Sequence, residues 1–385
     1  MKIPRFELER WQSVWENRVE LNIAESGVLP LSPGELLETE AERAALLDAR
    51  LGYPQTNGSE ELRGRIAALY PGAKPENVLA TCGTAEANFL VTWSLVEPGD
   101  EVVFMQPNYM QVGLLAEGLG AVVKPLWLRE ELGWAPDLEE LKRLVTPRTR
   151  LIAVCNPNNP TGAVLTEAAM AEIAAVAAHG GAWLLVDEVY RGAEHDGGST
   201  PPSAGLTPTF WGRYERVLCT AGLSKAYGLP GLRMGWVVGE PATIERLWCY
   251  HDYTAISVAA LSDRLAAAAL EPARREKILA RTRRLLREHY PIVREWLPRH
   301  ARIGHAGRLT HVPPHAGAIA WVGMPGVNTA EFCEELRERK SVLLVPGEQF
   351  ALPGYVRVGF GYEGEKLRAA LERVDALLGQ TVQRT

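Results

Sequence analysis

The sequence predicts an α/β protein: a mostly parallel seven-stranded sheet flanked by helices, with a smaller α+β domain. The first observation is an alternation. Between about residues 75 and 240, β-rich runs fall at 78–81, 101–105, 121–126, 151–155, 183–186, 217–220 and 235–238, with helical runs at 85–95, 110–119, 138–144 and 167–178 among them. The second is the texture of those strands. They read as unbroken apolar runs, as in Leu151-Ile152-Ala153-Val154-Cys155 and Trp183-Leu184-Leu185-Val186. Strands of that kind are buried on both faces, which requires helices on each side of a largely parallel sheet. The third is a change of pattern after residue 240. Long helical runs at 257–270 and 276–296 lead to strands near 318–322, 342–345 and 356–359 and a closing helix at 365–378. The expected division is a large domain at 46–285 and a small domain made of 1–45 together with 286–385.

Composition narrows the function classes. A chain of 385 residues is long enough for a sizeable core. A net charge of −6 and a pI near 5.9 favour neither nucleic acid nor an anionic membrane as partner. The basic run Arg274, Arg275, Lys277, Arg281, Arg283, Arg284 and Arg287 alternates with Ile278, Leu279, Leu285 and Leu286 at helical spacing, and reads as the solvated face of a helix. The five cysteines (Cys82, Cys155, Cys219, Cys249 and Cys333) lie far apart and form no CxxC pair. They read as buried, reduced thiols of a cytoplasmic protein, with no metal site. The first residues, Met1-Lys2-Ile3-Pro4-Arg5-Phe6-Glu7, lack the apolar core of a signal peptide. The most apolar stretch, about 165–186, carries Glu167, Glu172, His179 and Gly180-Gly181, so it breaks into a helix and a strand rather than a membrane span.

The chemistry-bearing motifs fall at or just after strand C-terminal ends, the edge where open α/β sheets bind ligands. Ser224-Lys225-Ala226-Tyr227-Gly228-Leu229-Pro230-Gly231-Leu232-Arg233 suits a covalently held phosphorylated aldehyde. The amine can form a Schiff base, and the hydroxyl and guanidinium can hold a phosphate. Asp187 closes the apolar run 182–186. A carboxylate there is costly unless it meets a cation or hydrogen-bond donors. A protonated pyridine nitrogen would satisfy it, and the carboxylate would raise that nitrogen's pKa. Tyr190 lies three residues on and can share its face. In Asn156-Pro157-Asn158-Asn159-Pro160-Thr161-Gly162 two prolines and a glycine set a turn that offers an Asn amide. Gly83-Thr84-Ala85 joins a strand to a helix, where exposed N–H groups and a hydroxyl make a phosphate seat. Each motif taken singly also reads as an ordinary turn or cap.

Taken together and in order, the set resembles the class I/II aminotransferases, fold-type I pyridoxal-phosphate enzymes. The set is Gly-Thr-Ala after a strand, Pro107-Asn108-Tyr109, the 156–162 turn, Asp187 with Tyr190, Ser224-Lys225 with Arg233, and Tyr355-Val356-Arg357. The likeness runs over about residues 20–375. It implies pyridoxal 5'-phosphate as cofactor, and an amino acid and a 2-oxo acid as substrates. Lys225 looks like the Schiff-base lysine and proton shuttle, and Asp187 like the partner of the ring nitrogen. Asn159 and Tyr190 match the pair that holds the phenolate oxygen, and Tyr109 matches the ring that stacks on the cofactor. Gly83, Thr84, Ala85, Ser224 and Arg233 match phosphate contacts. Tyr53 is similar to the tyrosine that reaches the neighbouring subunit's phosphate, which implies a homodimer with shared sites. Arg357 matches the grip on the substrate α-carboxylate, where a bidentate fork suits a carboxylate. Gly27 falls where the N-terminal segment lies over the substrate.

One position departs from the family pattern. Gly222 stands where the family usually has Ser or Thr, so a phosphate hydrogen bond is expected to be missing or replaced. Two segments bear on the substrate. Glu25 falls near the expected lid, and His251-Asp252-Tyr253 lies where dicarboxylate-specific relatives offer an arginine from the partner chain. A neutral or cationic donor side chain is therefore expected rather than aspartate. These segments also look like the capreomycidine synthase-like subgroup, arginine-derived cyclases of the same fold. Cyclisation or oxidation of an arginine-like amino acid is accordingly the alternative to transamination. A non-catalytic cofactor-binding regulator is set aside, because Lys225 and Asp187 are both present.

Overall fold

A computed structural model of the chain describes residues 2–195, 206–299 and 309–382. Four of its helices position the site: α1 (Glu7–Trp15), α2 (Thr84–Leu95), α3 (Glu167–Gly180) and α4 (Pro272–Trp296). The main sheet contains β1 (Val78–Thr81), β2 (Glu101–Gln106), β3 (Val122–Arg129), β4 (Thr149–Cys155), β5 (Trp183–Asp187), β6 (Val217–Gly222) and β7 (Gly235–Val238). Their order is β1-β7-β6-β5-β4-β2-β3, and the short strand Ala135–Pro136 pairs with β3 as an eighth. Strand β7 runs antiparallel to both β1 and β6. The other pairings among the seven are parallel.

Every residue of β1, β2, β6 and β7 is buried. The unbroken apolar runs follow from this, since successive side chains enter opposite faces. Val102 and Phe104 pack into one apolar cluster, Val103 and Met105 into the other. Helix α2 covers the first face with Ala87, Leu90, Val91 and Leu95. Helix α3 covers the second with Met170, Ile173, Ala174 and Ala177. Strand β2 has β3 on one side and β4 on the other. The chain therefore switches direction across the sheet at β2 and β4, and their loops open a crevice at the C-terminal edge.

A smaller antiparallel sheet pairs β8 (Ile319–Gly323) with β9 (Tyr355–Gly359), flanked by Thr310–His311 and Val345–Pro346. The N-terminal segment is tied to this part of the chain. Leu21–Asn22 pairs in parallel with Val342–Leu343, and the Gly359 N–H donates to Ile23 O at 2.7 Å.

Helix α4 buries Ile278, Thr282, Leu286 and Val293, a stripe at helical spacing. Its basic residues are less solvated than the sequence suggests. Arg274 pairs with Glu42 at 2.5 Å, Lys277 with Glu38 at 2.8 Å, and Arg283 with the buried Glu194 at 2.8 Å. Arg281 donates to Leu29 O at 2.9 Å. A buried carboxylate such as Glu194 needs a cation, and long arginine stems supply it across neighbouring segments. Arg284 and Arg287 face solvent as expected. Of the five cysteines, all free, Cys155, Cys219 and Cys333 are buried, Cys82 is half-buried, and Cys249 is exposed. Among the described residues no helix is long and apolar enough to cross a membrane.

Candidate active site

Strand register fixes the centre of the site. Asp187 stands abreast of Cys155 on β4 and Thr220 on β6 at the C-terminal edge of the sheet. Its carboxylate accepts from Asn88 Nδ2 at 2.9 Å and from the Val189 N–H at 3.0 Å. Asn88 is itself held by the Thr220 hydroxyl, which donates to Asn88 Oδ1 at 2.7 Å. Burial lifts the Asp187 carboxyl above its ordinary range, against those two hydrogen bonds and the Lys225 charge. A cation placed against it would reverse that shift.

The turn after β4 consumes two of its three asparagines. Asn156 Oδ1 accepts the Leu165 N–H at 2.9 Å, and Asn158 Oδ1 accepts the Thr161 hydroxyl at 2.7 Å. Asn159 alone lines the cavity. Arg357 Nη1 donates to Asn159 Oδ1 at 3.0 Å, which leaves the Nδ2 side of that amide as a donor. Arg357 Nη2 donates to Ala24 O at 2.7 Å. One guanidinium thus ties β9, the N-terminal segment and the β4 turn together. It is 1% exposed, and its Nε has no hydrogen-bond partner. The Tyr190 hydroxyl is likewise buried, with no acceptor in hydrogen-bonding geometry. Burial raises its pKa, and Lys225 and Arg357 oppose that rise.

At the start of α2, Thr84 Oγ1 is buried and unpartnered. Gly83 takes a φ of +82°, and a Cβ there would lie 2.5 Å from Arg233 Nη2. The missing side chain lets the guanidinium close on the helix N-terminus, where the peptide dipoles also favour an anion. Ser224 lines the same cavity. Arg233 has a φ of +48°, a left-handed conformation that non-glycine residues seldom adopt. Gly222 has a local cause. A Cβ at this position would lie 2.6 Å from Thr84 Oγ1 and 2.7 Å from Met234 O. The Thr84 hydroxyl occupies the space that a Ser or Thr at 222 would need. Gly222→Ser is therefore expected to push Thr84 aside and weaken pyridoxal-phosphate affinity about tenfold, the scale of overpacking in a tight site. Equilibrium titration of the apoprotein checks this, and tighter binding would contradict it.

Lys225 Nζ donates to Glu25 Oε1 at 3.1 Å. Glu25 is held from behind by the N–H groups of Ser26 and Gly27, both at 2.9 Å. The Lys225 charge draws the Glu25 pKa down to about 2 despite burial. Burial works to lower the lysine's pKa, but Glu25 and Tyr190 outweigh it and the net shift is upward. Tyr109 donates to Glu9 Oε1 on α1 at 2.8 Å, and its ring packs 4.8 Å from that of Phe6.

These groups surround one cavity of about 420 Å³. It gathers Thr84, Ala85, Tyr109, Asn159, Asp187, Tyr190, Ser224, Lys225, Arg233 and Arg357, all singled out from sequence. Gly83 and Gly27 sit just behind the wall. A Cβ on Gly27 would lie 3.3 Å from Ser224 O and 3.8 Å from Lys225 Cδ, and Glu25 and Ser26 face the cavity instead. Tyr53 is 84% exposed and stands apart from the cavity of its own chain. Asp252 is exposed and also lies off the wall. Sequence reasoning missed Asn88, then Glu9, Gln12 and Ser13 from α1, and Glu16 just past its end. Asn88 had a usable signal, since it follows Thr84 by one helical turn and so shares its face.

Comparison with known proteins agrees with this geometry. The family described as aminotransferase class I and II matches residues 26–374. Capreomycidine synthase of Streptomyces vinaceus is 32% identical over 98% of this chain and 94% of its own. The aspartate/prephenate aminotransferase of Thermus thermophilus is 28% identical over 89% of this chain and 87% of its own. A crystal structure of a PLP-dependent aminotransferase from Streptococcus suis superposes with a TM-score of 0.89 at 35% identity, covering 99% of both chains. The fold is that of a pyridoxal-phosphate enzyme of fold-type I. Within that class, the chain belongs to the class I and II aminotransferases. Its cofactor is pyridoxal phosphate, and the residues present fit it. The unpartnered Thr84 hydroxyl and Arg233 suit the phosphate, and the buried Asp187 suits a cationic ring nitrogen.

Proposed function

We propose that the cavity around Lys225 is where this aminotransferase moves an amino group from an L-amino acid to a 2-oxo acid. The observation that carries the assignment is the convergence of Lys225, Asp187, Asn159, Tyr190 and Arg357 on one cavity. Bound pyridoxal phosphate supplies an aldehyde for the amino group and an electron-accepting ring. The chain's own groups do the rest. Lys225 Nζ anchors the cofactor, then takes and returns the donor's α-proton. Asp187 holds a proton on the ring nitrogen. Asn159 and Tyr190 donate to the phenolate oxygen, and Tyr109 stacks on the ring. Gly83, Thr84, Ala85, Ser224 and Arg233 seat the phosphate. Arg357, preset by Asn159 and Ala24, grips the α-carboxylate of donor and acceptor alike.

The working form in this proposal is a cytoplasmic homodimer. Tyr53, with Leu47, Leu51 and Tyr253, forms a set of strongly exposed large apolar residues, and such surface favours a protein contact. Tyr53 then reaches the second subunit's phosphate. The large domain at 46–285 carries the cofactor groups, and the small domain, 1–45 with 286–385, carries Arg357 and Glu25. A second reading is cyclisation of an arginine-like amino acid. The carboxylate of Glu25 beside Lys225 favours it, as an extra acid–base group at the same carbon. Mixing holoenzyme with single amino acids tests both readings. Transamination converts the cofactor to its amine form and releases a 2-oxo acid. Cyclisation of a donor that carries a leaving group on its side chain expels that group as the ring C–N bond forms, leaves the cofactor in its aldehyde form and yields a ring product. If no amino acid altered the spectrum or gave a product, both readings would fall.

A further inference from the structure

The charges around the cavity do not balance from within. Lys225 is taken by Glu25, and Arg357 by Asn159 and Ala24. That leaves Glu9 on α1 and Glu16 just past its C-terminal end, both facing the cavity. Among the described residues Glu9 accepts only the neutral Tyr109 hydroxyl. Among the described residues Glu16 has no ion-pair partner, although it is half-buried. Burial, then the charges of Glu25 and Glu9, raise its pKa, Lys225 opposes that rise only in part, and a further cation would relieve the crowding. A second, independent feature marks the same cavity as built for an anionic group. Arg357 Nε is fully buried and unpartnered on its wall. An amino acid whose carboxylate lies on Arg357 and whose side chain runs toward α1 would bring its far end to Glu16. There is space for a long side chain. A second cavity of about 440 Å³, with Glu20, Tyr362 and Lys366 on its walls, adjoins the first, and Glu16 and Glu25 line both.

We infer that Glu16 selects a donor with a long cationic side chain, a guanidinium or ammonium, assisted by the negative field of Glu9 and Glu25. This rests on the placement of the substrate carboxylate at Arg357 proposed above. Glu25 pairs with Lys225 while that amine is free, and Asp252 lies off the wall of its own chain's cavity. A negatively charged donor side chain would meet like charge at Glu16.

The test compares arginine with citrulline, its neutral counterpart of the same length, on holoenzyme and on Glu16→Gln. Two readouts are used: calorimetric affinity and the rate of the donor half-reaction. Wild type should bind arginine about tenfold or more tightly than citrulline, the scale of one partly desolvated charge pair. In Glu16→Gln that ratio should fall toward one, and citrulline serves as the control for an intact site. Equal affinities in wild type, or a ratio unchanged in Glu16→Gln, would overturn the inference even if both donors reacted well. If arginine bound selectively through Glu16 yet no donor lost its amino group, the selectivity would stand and the transamination reading would fail.

Discussion

Lys225→Ala abolishes turnover, with kcat lower by about 10³-fold or more. Positioned acid–base groups contribute roughly 10²–10⁴ on their own, and this residue also carries the covalent anchor. The side chain leaves a loop just after β6 and is about a quarter exposed, so the truncation opens no hole in the apolar core. The melting temperature of the apoprotein should therefore stay close to wild type. Loss of activity with an intact fold separates chemistry from structure. Lys225→Arg should not rescue, because a guanidinium stays protonated and cannot shuttle a proton. Phosphate contacts at Thr84 and Arg233 are untouched, so the variant should still retain cofactor but without the covalent link. Borohydride reduction followed by peptide mapping reads this directly: wild type fixes cofactor on the peptide carrying Lys225, and the variant fixes none. Turnover within tenfold of wild type would remove Lys225 from the centre of the site.

The parts of the fold that read well from sequence are those with only one physical explanation. Seven apolar runs set between helical ones had to be strands, and their limits fall close to β1–β7, although β3 exposes Val122 and Pro125 and so is not buried on both faces. The reversed direction of β7 was not legible, since an antiparallel strand buried on both faces looks like a parallel one. The motifs were legible because each sits at a strand end, where a polar residue interrupting an apolar run stands out. Asp187 after Leu184-Leu185-Val186 is such a case. The α1 region was not, because Glu9 on a short helix and Glu16 just past its end look like solvated charges. Only the folded chain brings them to the site, as it brings Glu25 to Lys225 across 200 residues of sequence. The basic residues of α4 misled for the opposite reason. Their partners Glu42 and Glu194 are distant in sequence, so a bridging face reads as a solvent face.

Asp187→Asn should cost about 10²–10³ in kcat/KM while leaving the apoprotein folded. The side chains have nearly the same shape, so packing at the end of β5 is preserved. What changes is charge. A carboxylate within contact of a cationic nitrogen raises that nitrogen's pKa by about 1–3 units, each unit worth 1.36 kcal/mol. Without it, the ring nitrogen of the bound cofactor holds its proton only at lower pH. Residual activity of the variant should therefore climb as pH falls through neutrality, until Lys225 or the donor amine becomes too protonated to act. The apoprotein should respond in the opposite sense. There the buried carboxylate is costly, as its raised pKa indicates, and an amide removes that cost. One acceptor oxygen is lost as well, so one of the two donors, Asn88 Nδ2 or the Val189 N–H, loses its partner. These two changes offset, and the apoprotein melting temperature should shift by only a few degrees, the scale of about 1 kcal/mol in a chain this large. A purely structural Asp187 would give the reverse pattern: a lower melting temperature without cofactor, and a pH profile parallel to wild type. The shape of the profile thus decides whether this carboxylate serves the ring nitrogen or only the end of the strand.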